Sequence, residues 1–175
     1  MRVLVTGGTG YIGSTAVEIL LTQGFDISIL DDCSMGHADT VPAGVRFVQG
    51  SLLNVDEVAD ALKGCDAVMH FAGKSLVGES VEKPDLYHLV NVDGTGILLD
   101  QMRKQSITKI VFSSSAATYG EPKVVPILET SETNPTNPYG ATKLAIDHMI
   151  TAEATTHGIS AASLRYFNVA GALKA

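Results

Sequence analysis

A tyrosine and a lysine lie four residues apart in two places, and each pair could take part in proton transfer. Tyr139 and Lys143 stand in "NPYGATKL", and Tyr119 and Lys123 stand in "YGEPK". Pro122 interrupts the second stretch and further prolines follow it, so this stretch is not expected to be helical. The first stretch leads into a proline-free run with apolar residues at helical spacing. We therefore predict that Tyr139 and Lys143 share one helix face, where an ammonium group can act on a phenol.

A glycine-rich turn near the N-terminus could hold a diphosphate. "VTGGTGYIG" (residues 5–13) lies between a predicted strand and a predicted helix, with Gly7, Gly10 and Gly13 evenly spaced. Glycines let the backbone approach a diphosphate, whose charge meets the free N–H groups at the helix start. Asp31 and Asp32 end the next predicted strand, where a carboxylate binds a ribose diol and repels a 2′-phosphate. The pattern predicts a dinucleotide site that favours NAD over NADP.

A dinucleotide site changes the meaning of the Tyr139 and Lys143 pair, whose spacing alone indicates only a solvated helix face. A lysine cation and a positively charged nicotinamide both favour the phenolate form of a tyrosine. Tyr139 is therefore predicted to be a general base near neutral pH. "FSSSAATYG" (residues 112–120) ends a predicted strand with three consecutive hydroxyls, one of which could bridge the phenol and a substrate. Ser113 and Ser114 could equally satisfy backbone groups at the strand end.

The elements that must position these residues alternate between strand-like and helix-like segments. Strands are predicted near 2–6, 26–30, 45–48, 67–71, 109–114 and 160–166, and helices near 12–23, 54–63, 84–104 and 139–157. Such alternation is typical of an α/β fold, here a Rossmann-type doubly wound parallel sheet with helices on both faces. The proline-rich connection from Tyr119 to Pro138 is predicted to be a surface excursion and a candidate rim of a binding site.

Composition narrows the classes of function. With 175 residues, of which 45% are hydrophobic, the chain is expected to form one domain over residues 1–175. A net charge of −7 argues against a nucleic-acid partner, and no apolar run suggests a membrane span or signal peptide. Cys33 and Cys65 show no zinc or disulfide spacing, and the histidines show no ligand spacing, so no metal is predicted. We expect a cytoplasmic protein.

Seven stretches fall in the order found in one known family. They are "VTGGTGYIGS", "ILDD", "VMHFAGKSLVGESVEKP", "NVDGT", "FSSSAATYG", "NPYGATKLAID" and "LRYFNVAG". In these motifs the chain resembles the first half of the UDP-glucose 4-epimerases, which are extended short-chain dehydrogenases/reductases. The resemblance implies a UDP-sugar substrate, NAD as cofactor, a homodimer, and a substrate domain that is largely absent from this sequence.

The resemblance also implies a role for each matching residue. Ser115, Tyr139 and Lys143 match the catalytic residues, and Ser115, Tyr139 and Asn168 match residues that contact the sugar. In such enzymes the tyrosine removes the 4-hydroxyl proton while a hydride passes from C4 to NAD. The transient 4-keto sugar then rotates and receives the hydride on its other face. The implied cofactor contacts are Gly7, Gly10, Tyr11, Ile12, Gly13, Asp31, Asp32, Ser51, Leu52, Phe71, Ala72, Gly73, Lys74, Ser75, Asn91, Ser113, Tyr139, Lys143 and Phe167.

One departure and two alternatives accompany this interpretation. Similar enzymes usually carry an aspartate after the third strand to contact adenine, whereas "QGSLLN" offers Ser51. A nucleotide-sugar dehydratase shares the fold and the tyrosine and lysine, but such enzymes carry an acidic pair after the fifth strand, which "SSSAATYG" lacks. A non-catalytic NAD-binding module is the second alternative, because a cofactor-binding half can bind NAD without turning over a substrate.

Overall fold

The chain folds into one parallel β-sheet between two layers of helices. The computed structural model describes residues 1–172. The strands are β1 (Arg2–Thr6), β2 (Asp26–Asp31), β3 (Arg46–Gln49), β4 (Ala67–His70), β5 (Lys109–Ser115) and β6 (Ser160–Tyr166). The helices are α1 (Tyr11–Thr22), α2 (Val55–Ala61), α3 (Val77–Glu82), α4 (Pro84–Tyr87), α5 (Gly94–Lys104) and α6 (Pro138–His157). A π-helical segment, His88–Asp93, joins α4 to α5.

The strand order is β3-β2-β1-β4-β5-β6, and every neighbouring pair is parallel. The chain first adds strands on one side of β1 and then crosses to the other side with β4. The carboxyl ends of β1 and β4 therefore flank the crevice in which doubly wound sheets bind their ligands. This arrangement confirms the predicted Rossmann-type sheet.

Two apolar clusters hold the helices on opposite faces of the sheet. On one face, Val17 of α1 packs with alternate residues of β1 and β2, such as Val5 and Ile29. On the other face, α2, α5 and α6 cover a larger cluster that includes Phe112 of β5 and Ile146 of α6. Successive strand residues point to opposite faces, so a strand buried on both faces must be apolar nearly throughout. Val3 to Val5 of β1 meet that condition, each at most 3% exposed.

The predicted elements agree with this fold in all but one region. Each strand boundary lies within one residue of its prediction, and α1, α2 and α6 lie where helices were predicted. The prediction of a single helix over 84–104 is wrong, because the chain forms α4, the π-helical segment and α5 there. Helix α3, which was not predicted, precedes them. The connection from Tyr119 to Pro138 is a largely exposed loop after a 3-10 turn at Ala116–Tyr119, as predicted.

The helices and the potential metal ligands of the described residues have two further properties. Within residues 1–172, each helix is too short or too polar to cross a membrane. In the same part of the chain, no three or more His, Cys, Asp or Glu side chains are grouped so that they could hold a metal ion. The single domain predicted for residues 1–175 includes three residues, 173–175, that lie outside the described part.

Candidate functional site

The glycine turn after β1 is packed too tightly for side chains. Gly7 has a positive φ of 71°, and a Cβ there would lie 2.6 Å from the backbone nitrogen of Ala72. A Cβ on Gly13 would overlap the backbone oxygen of Gly7. The Gly7 amide donates to the backbone oxygen of Leu30 at 2.9 Å, so the turn is tied to β2. The turn thus brings bare backbone to the crevice between β1 and β4.

The first turn of α1 leaves hydrogen-bond donors facing the crevice. Gly10 caps the helix without a side-chain hydrogen bond, and Tyr11 and Ile12 begin it. The first N–H groups of an α-helix have no partner within the helix, and they carry the positive end of its dipole. Tyr11, Ile12 and Gly13 line a cavity in front of this turn. An anionic diphosphate would fit this cradle of backbone donors.

Two adjoining cavities run along the carboxyl edge of the sheet. The first, which we call the carboxylate cavity, has a volume of about 290 Å³ and is lined by Asp31 and Asp32. The second, which we call the tyrosine cavity, has a volume of about 380 Å³ and is lined by Tyr139 and Lys143. Both are lined by Gly7, Gly10, Met35, Phe71, Gly73 and Lys74. They therefore form one groove that could hold an extended molecule such as a dinucleotide.

Asp31 is held in place at the end of β2 by two backbone donors. The amide of Thr9 donates to one carboxylate oxygen at 2.9 Å, and the amide of Cys33 donates to the other at 2.8 Å. Asp31 is only 8% exposed. An ionised carboxylate offers about four acceptor sites, so it can still accept from a ribose diol. Ser51 and Leu52 line the same cavity from beyond β3.

The loop after β4, residues 71–75, is fixed from behind by Asn91. The Asn91 side chain accepts from the Lys74 amide at 2.8 Å and donates to the Lys74 backbone oxygen at 3.0 Å. It also donates to the hydroxyl of Thr142 at 3.1 Å. Phe71, Ala72, Gly73, Lys74 and Ser75 all line the groove, whereas Asn91 itself lies behind the loop. Asn91 is thus placed to position the loop.

Lys143 is buried beneath the tyrosine cavity. Its ammonium group donates to the backbone oxygen of Ser113 at 2.8 Å and lies 4.8 Å from the centre of the Phe112 ring. The same nitrogen lies 5.8 Å from the centre of the Tyr139 ring. Burial lowers the pKa of Lys143 to about 8, although the charge of Asp147 acts to raise it. A lysine in this state can hold or release a proton near neutral pH.

The N-terminus of α6 fixes the backbone of Tyr139. Asn137 caps the helix by accepting from the Gly140 amide at 2.8 Å, and Pro138 is its first residue. The Tyr139 amide donates to the hydroxyl of Ser80 at 3.2 Å, and Ser80 is fully buried. The hydroxyl of Ser80 in turn donates to the backbone oxygen of Val77 at 2.6 Å. Helix α3 therefore holds the start of α6.

The competing pair in "YGEPK" is not assembled. Tyr119 is buried, and the guanidinium of Arg165 lies 4.8 Å from the centre of its ring. Lys123 is exposed in the surface loop. The sequence expectation that only Tyr139 and Lys143 share a helix face is confirmed by α6.

Besides Asn91, three residues that were assigned to the site by resemblance lie outside the groove. The hydroxyl of Ser115 caps the following 3-10 turn by accepting from the Ala117 amide at 3.1 Å. Phe167 is 67% exposed and lines another cavity together with Tyr119 and Arg165. Asn168 is exposed. Ser115 is thus the last residue of β5, and Phe167 and Asn168 follow β6, while the roles expected of these three residues stay predictions.

Among the residues that were missed in the sequence are four polar residues in or behind the tyrosine cavity. Glu79 and Tyr87 line the tyrosine cavity, and the Tyr87 hydroxyl accepts from the Leu76 amide at 3.0 Å. Ser80 and Asp147 lie behind the cavity, in contact with α6 and β5 respectively. The stretch "VGESVE" gave no periodic signal because α3 is only six residues long. The spacing of Asp147 four residues after Lys143 was a usable signal.

Known proteins resemble this chain over nearly its whole length. The sequence model of the NAD dependent epimerase/dehydratase family matches residues 3–175. The UDP-glucose 4-epimerase of Corynebacterium glutamicum is 54% identical over 172 residues, which cover 98% of this chain and 52% of that protein. The chain thus spans about half the length of the curated relatives it matches.

Two solved structures share the fold closely. The UDP-glucose 4-epimerase of Brucella ovis, in complex with NAD, has a TM-score of 0.92 and 43% identity, covering 95% of this chain and 52% of that chain. The UDP-glucose-4-epimerase of Stenotrophomonas maltophila, with bound NAD and formylated UDP-arabinopyranose, has a TM-score of 0.92 and 38% identity. This second likeness covers 96% of this chain and 53% of that chain.

Proposed function

Because the chain belongs to the NAD dependent epimerase/dehydratase family, we propose that it is the NAD-binding part of a nucleotide-sugar 4-epimerase. Residues 1–175 form its NAD-binding domain, and the substrate is a UDP-sugar such as UDP-galactose or UDP-glucose. The observation that carries the proposal is the single groove that joins the glycine turn, Asp31, Tyr139 and Lys143.

The groove fits NAD at three points along its length. The bare backbone of Gly7 and Gly13 and the free donors of α1 suit the diphosphate. The buried carboxylate of Asp31 suits the adenosine ribose and disfavours a 2′-phosphate. The tyrosine cavity, with Ser113 and Lys143 on its wall, would receive the nicotinamide end. When bound, NAD would supply a site that takes up a hydride and later returns it.

In the proposed reaction, side chains of this protein transfer the proton of the sugar 4-hydroxyl. Tyr139 takes the proton of the sugar 4-hydroxyl and returns it after the 4-keto sugar has rotated to present its other face. Lys143 stabilises the phenolate by its positive charge, from a position 5.8 Å from the ring centre. Ser115, at the carboxyl end of β5, would be the hydroxyl that contacts the substrate. Phe167 and Asn168 would approach the groove from the segment after β6.

Part of the proposal rests on what the relatives bind. The similar structure from Stenotrophomonas maltophila holds NAD together with a modified UDP-arabinopyranose. A UDP-sugar is therefore the substrate class we propose here. The homodimer, which the family resemblance implies, and a cytoplasmic location are also proposed. Light scattering on the purified protein would test the first, and cell fractionation would test the second.

Two measurements test the function. Calorimetry should detect binding of NAD by the 175-residue chain, with weaker binding of NADP. The isolated chain should interconvert UDP-galactose and UDP-glucose poorly or not at all, since it spans about half of its relatives. Fusing residues 1–175 to the C-terminal half of the Corynebacterium glutamicum relative should give an active enzyme. A fusion that folds and binds NAD without epimerising would instead favour a dehydratase or a non-catalytic NAD-binding module.

A further inference from the structure

A buried carboxylate lies one helical turn behind Lys143, outside the groove. Asp147 is 5% exposed, and one of its oxygens accepts from the Ser114 hydroxyl on β5 and from the Arg165 guanidinium on β6, both at 3.1 Å. The other oxygen is buried and has no hydrogen-bond partner among residues 1–172. A buried carboxylate oxygen without a partner is costly, so its negative charge must be offset by charges nearby.

Two cations are buried or half-buried around this one acid. Lys143 precedes it by one turn on α6, and Arg165 reaches it from β6. An arginine does not lose its proton in proteins, whereas a buried lysine does so readily. If Asp147 were neutral, the repulsion between the Lys143 and Arg165 cations would no longer be offset. Lys143 is the one of the two that would then lose its proton. The charge of the Asp147 carboxylate acts to raise the pKa of Lys143, against the effect of burial.

The other titratable groups near Lys143 do not replace Asp147. His70 on β4 is fully buried, and burial lowers its pKa to about 3, so it is neutral. Glu79 on α3 lines the tyrosine cavity, but its carboxylate is engaged by the Lys83 ammonium at 3.2 Å and the Tyr87 hydroxyl at 3.0 Å. Lys74 on the loop after β4 and Tyr139 also line the tyrosine cavity, but the first adds positive charge and the second adds a phenol. Asp147 remains as the counter-charge.

We propose that Asp147 is a positioning residue whose carboxylate keeps the Lys143 ammonium protonated at the wall of the tyrosine cavity. Its meaning for catalysis rests on the proposed function, in which a charged lysine stabilises the phenolate of Tyr139. The hydrogen bonds from Ser114 and Arg165 hold the carboxylate against β5 and β6, so its charge stays at a fixed place one helical turn after the lysine. Burial and the charge of Asp147 act on the pKa of Lys143 in opposite directions, consistent with this role.

The test is an NMR titration of Lys143 in the 175-residue chain labelled with carbon-13 at the lysine Cε atoms. The Lys143 signal is identified by its loss in Lys143→Gln. Asp147→Asn should lower the titration midpoint of Lys143 by about one pH unit or more, because an opposite charge nearby is lost. Arg165→Gln should raise the midpoint, because a neighbouring cation is lost. Opposite shifts cannot come from a general loosening of the fold, and the second variant gives an answer even if the first does not fold.

Glu153→Gln is the matched control. Glu153 also lies on α6, pairs with Arg103 at 2.7 Å and has a buried oxygen without a hydrogen-bond partner among residues 1–172. It is about 15 Å from Lys143 along the helix axis, so the midpoint should not move. An unmoved midpoint in Asp147→Asn, or equal shifts in Asp147→Asn and Glu153→Gln, would overturn the proposal. Failure of the unmodified chain to bind NAD would count against the proposed function and leave this titration as a valid test.

Discussion

The Lys143 ammonium lies 5.8 Å from the centre of the Tyr139 ring, and its hydrogen bond goes to the backbone of Ser113. The lysine therefore acts on the tyrosine through space, by its charge. The side chains start one turn apart on α6. The hydrogen bond that the ammonium donates to the Ser113 backbone oxygen keeps it at the wall of the tyrosine cavity, which the phenol also lines. The phenol and the ammonium are thus held by separate contacts.

Replacing Tyr139 by phenylalanine should remove catalysis and spare cofactor binding. In the active fusion described above, Tyr139→Phe should lower kcat by about 100-fold to 10,000-fold, the range typical of a lost general base. The affinity for NAD, measured by calorimetry, should change little because the ring remains. Tyr119→Phe is the control, since Tyr119 is buried against Arg165 and lies outside the groove. Equal losses of kcat in the two variants would show that Tyr139 is not the base.

The parts of the site that the sequence predicted depend on neighbours along the chain. The glycine turn, the carboxylate after β2 and the pair on α6 each arise from a strand or helix whose hydrophobic period is local. The parallel order of the strands then brings their carboxyl ends to one edge. For this reason the sequence alone predicts that Gly7, Asp31 and Tyr139 lie together.

The parts that the sequence did not predict depend on contacts between distant segments. Ser80 meets Tyr139, and Asn91 meets Thr142, across long stretches of chain. Nothing in the local pattern specifies such meetings. The π-helical segment His88–Asp93 also escaped prediction, because the apolar spacing there fits an ordinary helix. Such segments are frequent at functional sites, and this one carries Asn91 behind the loop after β4.

Adding a methyl group to the glycine turn should weaken both the fold and cofactor binding. The new Cβ in Gly13→Ala would overlap the backbone oxygen of Gly7. Because the overlapped atom belongs to the backbone, no side-chain movement can relieve the overlap. The free energy of unfolding, measured with urea, should fall by about 1–3 kcal/mol, and NAD binding should be lost. Gly78→Ala is the control, because a Cβ there meets no heavy atom within 4 Å. If both variants behaved alike, the close packing at Gly13 would not be what the turn requires.

The choice between NAD and NADP should depend on the charge of Asp31. Two like charges about 4 Å apart cost roughly 1–4 kcal/mol, depending on how well they are solvated. Asp31→Asn should therefore improve binding of NADP relative to NAD by at least about tenfold. The protein should also lose some stability, since one of the bonds from Thr9 and Cys33 loses its acceptor. Asp32→Asn is the control, because Asp32 is exposed and accepts from the Ser34 amide. In this variant the ratio of the affinities for NADP and NAD should stay nearly constant. Calorimetry with each cofactor gives both ratios.

The buried ammonium of Lys143 should give stability a characteristic dependence on pH. Its pKa falls from an ordinary 10.5 to about 8 in the folded chain, mainly because of burial. Between these two values the unfolded chain binds more protons, so stability rises with pH across this window. Below about pH 8 the cost of burying the charge is present in full.

Lys143→Met removes this dependence, so it isolates the contribution of the lysine. The difference in unfolding free energy between the original chain and the variant should move in favour of the original chain as pH rises from 8 to 10.5. Burial raises the pKa of the Cys65 thiol to about 11, which opposes the trend, but both proteins carry that thiol. Urea unfolding at several pH values provides the comparison. A difference that stays constant across the window would mean that Lys143 is not buried as a cation.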